Sequence, residues 1–438
     1  MIDEKKTFQK FFSLGFFPEE LPPEFGPYGI SEEIAEDLWD RIEELRSVSG
    51  DQERKPSEPT SISFPKSEFV RRNFHFLNPL YFARLSHTIL TNWQEITEHT
   101  EQSKFSTSRL VLSDSKKQIF KHDPFSKSID QRINRSASKE YVLYVDIENF
   151  YPSIYTHTID WAFNGGVPRH YSEHNKREHV GVALDKDVHR SQGNITSGIV
   201  IGPVTSRIIS EIISSHFDHI ISSEFDSITG TRYVDDYHLF VSSKEEIENV
   251  QIVLQKVLSN FKLKFNEAKI QIDSLPEVYS DYWTKYFDNK EQLIRDNRLD
   301  KKEAVRRFSK AFELIKKDTK NPSLRYFFRV LEDKSIIQHF ELSMLLELIH
   351  HSVKIDPRSI SRACIAMLEG ELIDQEIHDN LVHFEPTLIK CSNLGYEFEV
   401  LWMLYLFLHA GRIIPEVVVD NAISNFNIVV IAYLLKCR

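Results

Sequence analysis

The run Tyr233-Val234-Asp235-Asp236, followed by the apolar stretch Leu239-Phe240-Val241, constrains this chain more than any other segment. β-Branched and aromatic residues on both sides of a short polar step predict a hairpin. Two adjacent carboxylates at its tip repel each other unless a cation lies between them. A further acid, Asp146, stands at the end of Tyr141-Val142-Leu143-Tyr144-Val145, five residues of strand character that run into a carboxylate. A strand cap and a solvated turn would account for either segment alone, but they account poorly for both together.

Carboxylates brought from separate strand ends suit hard divalent cations. The chemistry they predict is in-line phosphoryl transfer with two Mg²⁺ ions about 4 Å apart, Mn²⁺ being the alternative: one ion acidifies the attacking hydroxyl and the other steadies the leaving pyrophosphate. Asp146 and Asp235 are the expected bridging ligands, with Asp236 as outer support, and all three are expected to be catalytic. Between them in the chain lies Ile195-Thr196-Ser197-Gly198-Ile199-Val200-Ile201-Gly202-Pro203, leading into a helix with apolar Val204, Ile208, Ile209, Ile212 and Ile213. Glycines there let the backbone approach a ligand, which makes Gly202 a candidate substrate contact. Arg71 and Arg72 are candidates to clamp a triphosphate as bidentate donors.

In this order, with Phe150-Tyr151 after the first acid, the three segments resemble motifs A, B and C of reverse transcriptases. The phrase Phe150-Tyr151-Pro152-Ser153-Ile154-Tyr155-Thr156-His157 and the stretch through Thr205-Ser206-Arg207-Ile208-Ile209 are similar to bacterial antiphage reverse transcriptases of the abortive-infection and related unknown-group type. Gly15-Phe16-Phe17-Pro18-Glu19-Glu20-Leu21-Pro22-Pro23 resembles an opening phrase of that group, and the likeness extends over about residues 11 to 280. It implies an RNA-directed DNA polymerase that takes dNTPs, engages an RNA template or an associated non-coding RNA, releases cDNA and acts in defence against phage. It also places Tyr151 at the position that excludes a ribose 2′-hydroxyl and Lys269 at the motif D lysine that protonates departing pyrophosphate. Val200-Ile201 stand where the wider family has Pro-Gln, which leaves untemplated, protein-primed synthesis open beside copying of an RNA. From a different class, the competing reading is a catalytically silent RNA-binding scaffold that keeps the fold.

The 438 residues carry a formal net charge of −11, unevenly distributed. Residues 1–60 hold eight more acids than bases, whereas residues 301–330 hold ten Lys or Arg against three acids. A local basic stripe, more than net charge, is what binds phosphates, and Arg306, Arg307 and Lys310 are its expected nucleic-acid contacts. Cys364, Cys391 and Cys437 form no metal or disulfide pattern, which fits a cytoplasmic setting. The Val400–Leu408 apolar run is too short to span a bilayer. Ser47 to Pro65, rich in serine, proline and charge, is expected to be a loop over the fingers.

Beyond residue 331 the periodicity is helical, over Ile336–Ser352, Arg358–Gly370, Ile373–Phe384, Glu397–His409, Pro415–Asn425 and Phe426–Cys437. The expected fold is therefore α+β, a right-hand polymerase with a fingers-palm core and helical thumb, followed by an all-α HEAT-like repeat domain. Its segments are 1–140 (N-terminal extension and fingers), 141–285 (palm), 286–330 (basic thumb) and 331–438 (repeats). A final helix with little polar face suggests packing on more protein, either another subunit, giving a homo-oligomer formed through the C-terminal helices, or further residues.

Overall fold

The computed structural model describes residues 2–25, 30–48, 55–67, 70–121, 125–166, 180–276, 282–296, 298–369 and 381–436. The chain divides into two compact units. Met1–Glu19, Gly26–Thr60 and His75–Tyr279 make the first; Glu20–Phe25, Ser61–Phe74 and Ser280–Arg438 make the second. This partition differs from the four segments expected: residues 61–74, assigned to the fingers, join the helical unit, and no division falls near residue 330.

Strands β1 (Thr60–Pro65) and β2 (Arg71–Phe76) form a two-stranded ladder, so the expected Ser47–Pro65 loop ends in a strand; residues 49–54 of it lie outside the described residues. Strands β3 (Tyr141–Asp146), β4 (Thr229–Tyr233), β5 (Asp236–Val241) and β6 (Gln271–Ser274) form an antiparallel sheet in the order β4-β5-β3-β6. Val142, Leu143, Tyr237, Leu239 and Phe240 are buried, so the two central strands lie within the core. Tyr233 pairs with Asp236, leaving Val234 and Asp235 alone to make the turn.

In the first unit the Val204–Glu224 helix lies almost wholly within the core. Glycine on its neighbour allows a close approach: a Cβ added at Gly15, on the Glu4–Gly15 helix, would come within 2.5 Å of Val204. The N-terminal helix itself starts from Asp3, whose carboxylate accepts from the Lys6 amide.

In the second unit the Lys301–Lys317 helix begins at Asp300, which caps the Glu303 amide, and packs Phe308 against Phe327 and Phe328 of the Ser323–Leu331 helix. The helix expected over Ile336–Ser352 is two, Lys334–Ile337 and Leu342–Ile355, parted where Glu341 is extended and Phe340 turns inward. The helices expected from Arg358, Pro415 and Phe426 run over Ser359–Glu369, Glu416–Ser424 and Ile428–Lys436. Of the Ile373–Phe384 segment, residues 373–380 lie outside the described residues, and Leu381–Phe384 is a 3₁₀ turn. Glu397–His409 is helical as expected and apolar on every side, with Phe398 to Phe407 buried throughout. Among the described residues no helix is long and apolar enough to cross a membrane.

Candidate active site

The β3–β5 ladder sets Asp146 directly opposite Asp236 across the strands. Register thus sets Asp236, expected as outer support, opposite Asp146, while Asp235, the expected bridging partner, occupies the turn. Asp146 is buried. Its carboxylate accepts from Asn266 Nδ2 at 3.0 Å and from the Lys269 ammonium, and it shares a further hydrogen bond with the Asp236 carboxyl. Burial alone would push Asp146 upward, but the hydrogen bonds from Lys269, Asp236 and Asn266 prevail and hold it below the usual carboxylate range. Asp236 goes the other way, to about 7, through loss of surrounding water, the bond to Asp146 and the charges of Asp235 and Asp146. Asp236 therefore holds a proton more readily than an ordinary carboxyl, beside an Asp146 that gives its proton up more readily. Burial pulls Lys269 down, yet the hydrogen bond and charge of Asp146, with Asp236 and Asp235, leave it above the ordinary lysine value.

Backbone geometry builds the rest of the site. Asn149 adopts φ 45°, a left-handed conformation asparagine tolerates, and turns the chain after β3 into the short Phe150–Ser153 helix. The Tyr151 carbonyl accepts from the Ile199 amide at 2.8 Å, and Ile154 accepts from Gly198 at 2.7 Å, so the glycine loop docks on the segment that follows Asp146. Gly198 has φ 83°, and a Cβ there would lie 2.9 Å from the Pro152 carbonyl, so only glycine fits. Gly202, at φ 130°, leads into the Val204–Glu224 helix. From that helix Ser210 Oγ meets the Tyr151 hydroxyl at 3.1 Å. Burial, with the nearby Asp235 charge, drives the Tyr151 phenol up to about 12.

Asp146, Asp235, Asp236, Lys269 and Tyr151 thus come together in one unit. The family model described as reverse transcriptase (RNA-dependent DNA polymerase) matches residues 81–304, a little over half of the chain, and takes in every one of these residues. The chain belongs to the reverse transcriptase family. It is accordingly an RNA-directed DNA polymerase, with nucleotides and an RNA template as the ligands of its fold. Among solved structures, it is similar to apo telomerase from Candida tropicalis (12% identity, TM-score 0.37, covering 87% of this chain and 74% of that one). It is also similar to telomerase from Candida albicans in complex with the TWJ fragment of telomeric RNA (12% identity, TM-score 0.32, covering 86% and 71%). Both likenesses are loose, and the family assignment stands on the sequence match. No curated protein matches the chain.

The reverse transcriptase's acids fit a hard divalent cation. Their donors are carboxylate oxygens from two strand ends, and positive charge already lies among them as the Lys269 ammonium. Among the described residues no three or more His, Cys, Asp or Glu side chains are gathered closely enough to cage a metal. Asp146, Asp235 and Asp236 are the residues that would hold such an ion, in place of the positive charge now next to Asp146.

Other expected contacts lie elsewhere. Arg71, in the second unit, sends Nη1 and Nη2 to the Glu399 carboxylate at 2.7 Å each, reaches Ser63 and lies 4.0 Å over the Tyr396 ring. Its planar fork is filled by that buried glutamate, so it ties the β1–β2 ladder to the Glu397–His409 helix and is not free to clamp a triphosphate. Arg72 is exposed on β2, in the same unit. Arg307 is a correction too: it is 0% exposed and donates to Glu303 and to the Phe287 and Asn289 carbonyls, which removes it from the nucleic-acid contacts. Arg306 is 68% exposed and Lys310 42%. Sequence reasoning passed over Asn266, Ser210 and Arg232. Asn266 stands three residues before Lys269 and Arg232 directly before Tyr233, positions where a polar residue in a strand or turn beside acids was the available signal.

Proposed function

We propose that this reverse transcriptase is a bacterial antiphage enzyme, of the abortive-infection and unknown-group kind, that adds dNTPs by metal-assisted phosphoryl transfer. Support for the phosphoryl-transfer part of this reading is the facing of Asp146 and Asp236 across the β3–β5 ladder, with Asp235 in the adjoining turn and its charge felt at Tyr151. These three acids would hold the divalent ions. When bound, Mg²⁺, or Mn²⁺ in its place, supplies the charge that acidifies a 3′-hydroxyl and steadies pyrophosphate. Tyr151, fixed by Ser210, presents a ring where a ribose 2′-hydroxyl would lie and so selects dNTPs. The Gly198–Gly202 backbone leaves room for the nucleotide, and Lys269 holds a proton close to the acids for the leaving group. The helices beyond residue 331 are read as a HEAT-like stack that supports RNA binding or assembly.

Copying of an associated non-coding RNA and template-poor, protein-primed synthesis both remain within this reading; Val200-Ile201 in place of Pro-Gln favours the second. The test is incorporation of labelled dNTPs by the purified full chain with Mg²⁺, with and without added RNA, together with sequencing of the nucleic acid that co-purifies. Label that appears only with RNA assigns templated copying; label attached to protein without RNA assigns priming. No incorporation under either condition leaves the silent scaffold. In an active preparation, Tyr151→Val raises the use of rNTPs relative to dNTPs, and an unchanged ratio makes Tyr151 a core residue only.

A further inference from the structure

Arg232 is the last residue but one before the Val234-Asp235 turn, and its side chain is fully buried. Its Nε donates to both Asp218 oxygens at 3.0 and 2.8 Å, and Nη2 donates to Glu211 Oε1 at 2.8 Å. Nη1 donates to Glu211 Oε2 at 3.1 Å and to the Val234 carbonyl at 2.9 Å. Glu211 and Asp218, two turns apart on the Val204–Glu224 helix, face the strand together. Ser103 donates to Asp218 at 2.5 Å, and Ser108 donates to Glu211 at 2.9 Å. One arginine between two buried acids is weak ground for stability, because desolvation offsets most of the attraction.

What the cluster does hold is an unusual backbone. Val234 has φ 58°, in the left-handed region that a β-branched residue rarely occupies. Both of its backbone groups are engaged by the cluster: the carbonyl by Arg232, and the amide by Ser108 Oγ at 3.4 Å. The next residue is Asp235. On the same helix, Ser210, adjacent to Glu211, fixes the Tyr151 hydroxyl.

We propose that Arg232 is a positioning residue. Backed by Glu211 and Asp218, it locks Val234 in the left-handed conformation and thereby sets where Asp235 is presented to the site. It touches none of the three catalytic acids. The inference rests on the polymerase reading for its kinetic test and on geometry alone for its thermal one.

The test is a double-mutant cycle on the full chain. Arg232→Lys keeps a charge for the two acids but lacks the planar fork that reaches Val234 as well. It is expected to fold, to lower kcat for dNTP incorporation about tenfold and to leave KM for dNTP within about threefold. Val234→Gly adopts positive φ freely, and added to Arg232→Lys it should restore part of the lost kcat. In melting, Arg232→Lys should lower Tm less in the Val234→Gly background than in the wild type. A folded Arg232→Lys with wild-type kcat, a loss confined to KM, or no recovery with glycine would overturn the proposal. Strictly additive Tm changes would overturn it as well, and they do so even if the wild-type chain proves inactive, an outcome that sinks only the polymerase reading. Should Arg232→Lys fail to fold, Ser108→Ala removes the hydrogen bond to the amide alone: a severalfold loss of kcat at constant KM supports the proposal, and unchanged kcat refutes it.

Discussion

Two charged regions handle their charge in opposite ways. At the end of the β3–β5 ladder, Asp146 and Asp236 share a hydrogen bond beside the charge of Asp235, with Lys269 as the neighbouring cation, so that Asp236 is pushed up to about 7. Along the Lys301–Lys317 helix, cations are matched to acids at helical spacing: Arg306 and Arg307 to Glu303, and Lys310 and Lys317 to Glu313 at 2.9 and 2.7 Å. Hydrogen bonds from Lys317 and Lys310 hold the exposed Glu313 down to about 2. Crowded like charges raise free energy until a ligand relieves them, whereas interleaved opposite charges are satisfied within the helix. Of the two, the acidic cluster is the stronger pointer to chemistry, and the basic helix is partly scaffold.

The largest expected effect breaks the acidic side. Asp146→Asn should lower dNTP incorporation by about a thousandfold while the far-ultraviolet circular dichroism stays unchanged; near-normal turnover would make the cluster structural and erase the contrast. Next, Arg307→Met should destabilise the second unit by about 3 kcal/mol in denaturant titration, because the Phe287 and Asn289 carbonyls lose their donor. Arg306→Gln should stay within about 0.5 kcal/mol, and equal losses would mean that burial does not separate the two arginines. Third, Mg²⁺ must displace the proton on Asp236. Below about pH 7 that group is protonated, so Mg²⁺ affinity by calorimetry should fall about tenfold per pH unit and level off above it. Glu313, ionised across that range, gives the basic helix no such dependence. The smallest effect sharpens the other side: Arg306→Gln with Lys310→Gln should flatten the salt dependence of RNA binding by about one unit of slope for each phosphate no longer neutralised. An unchanged slope would move the RNA-binding surface off this helix.

How legible each region was follows from the same physics. A strand that ends on an acid and a hairpin that carries two more are local patterns, so β3, the β4–β5 turn and their three aspartates could be read directly. Register could not, and it made Asp236 the partner of Asp146. Arg71 and Arg307 were misread for one reason: a guanidinium looks alike in sequence whether it meets a phosphate or a buried glutamate, and Glu399 lies 328 residues from the first of them. Arg232 was not legible because its acids, Glu211 and Asp218, sit on a helix whose pattern is dominated by an apolar stripe. The break at Phe340-Glu341 was invisible because the apolar spacing continues across it.

Sulfur is distributed unevenly along this chain. Its three cysteines, Cys364, Cys391 and Cys437, all fall in the second unit, and Cys364 and Cys391 are buried free thiols that burial pushes upward, Cys391 to about 12. Neither is a reactive thiolate in the folded chain. Alkylation of these two therefore becomes a clock for opening of the helical unit alone, silent toward the polymerase unit.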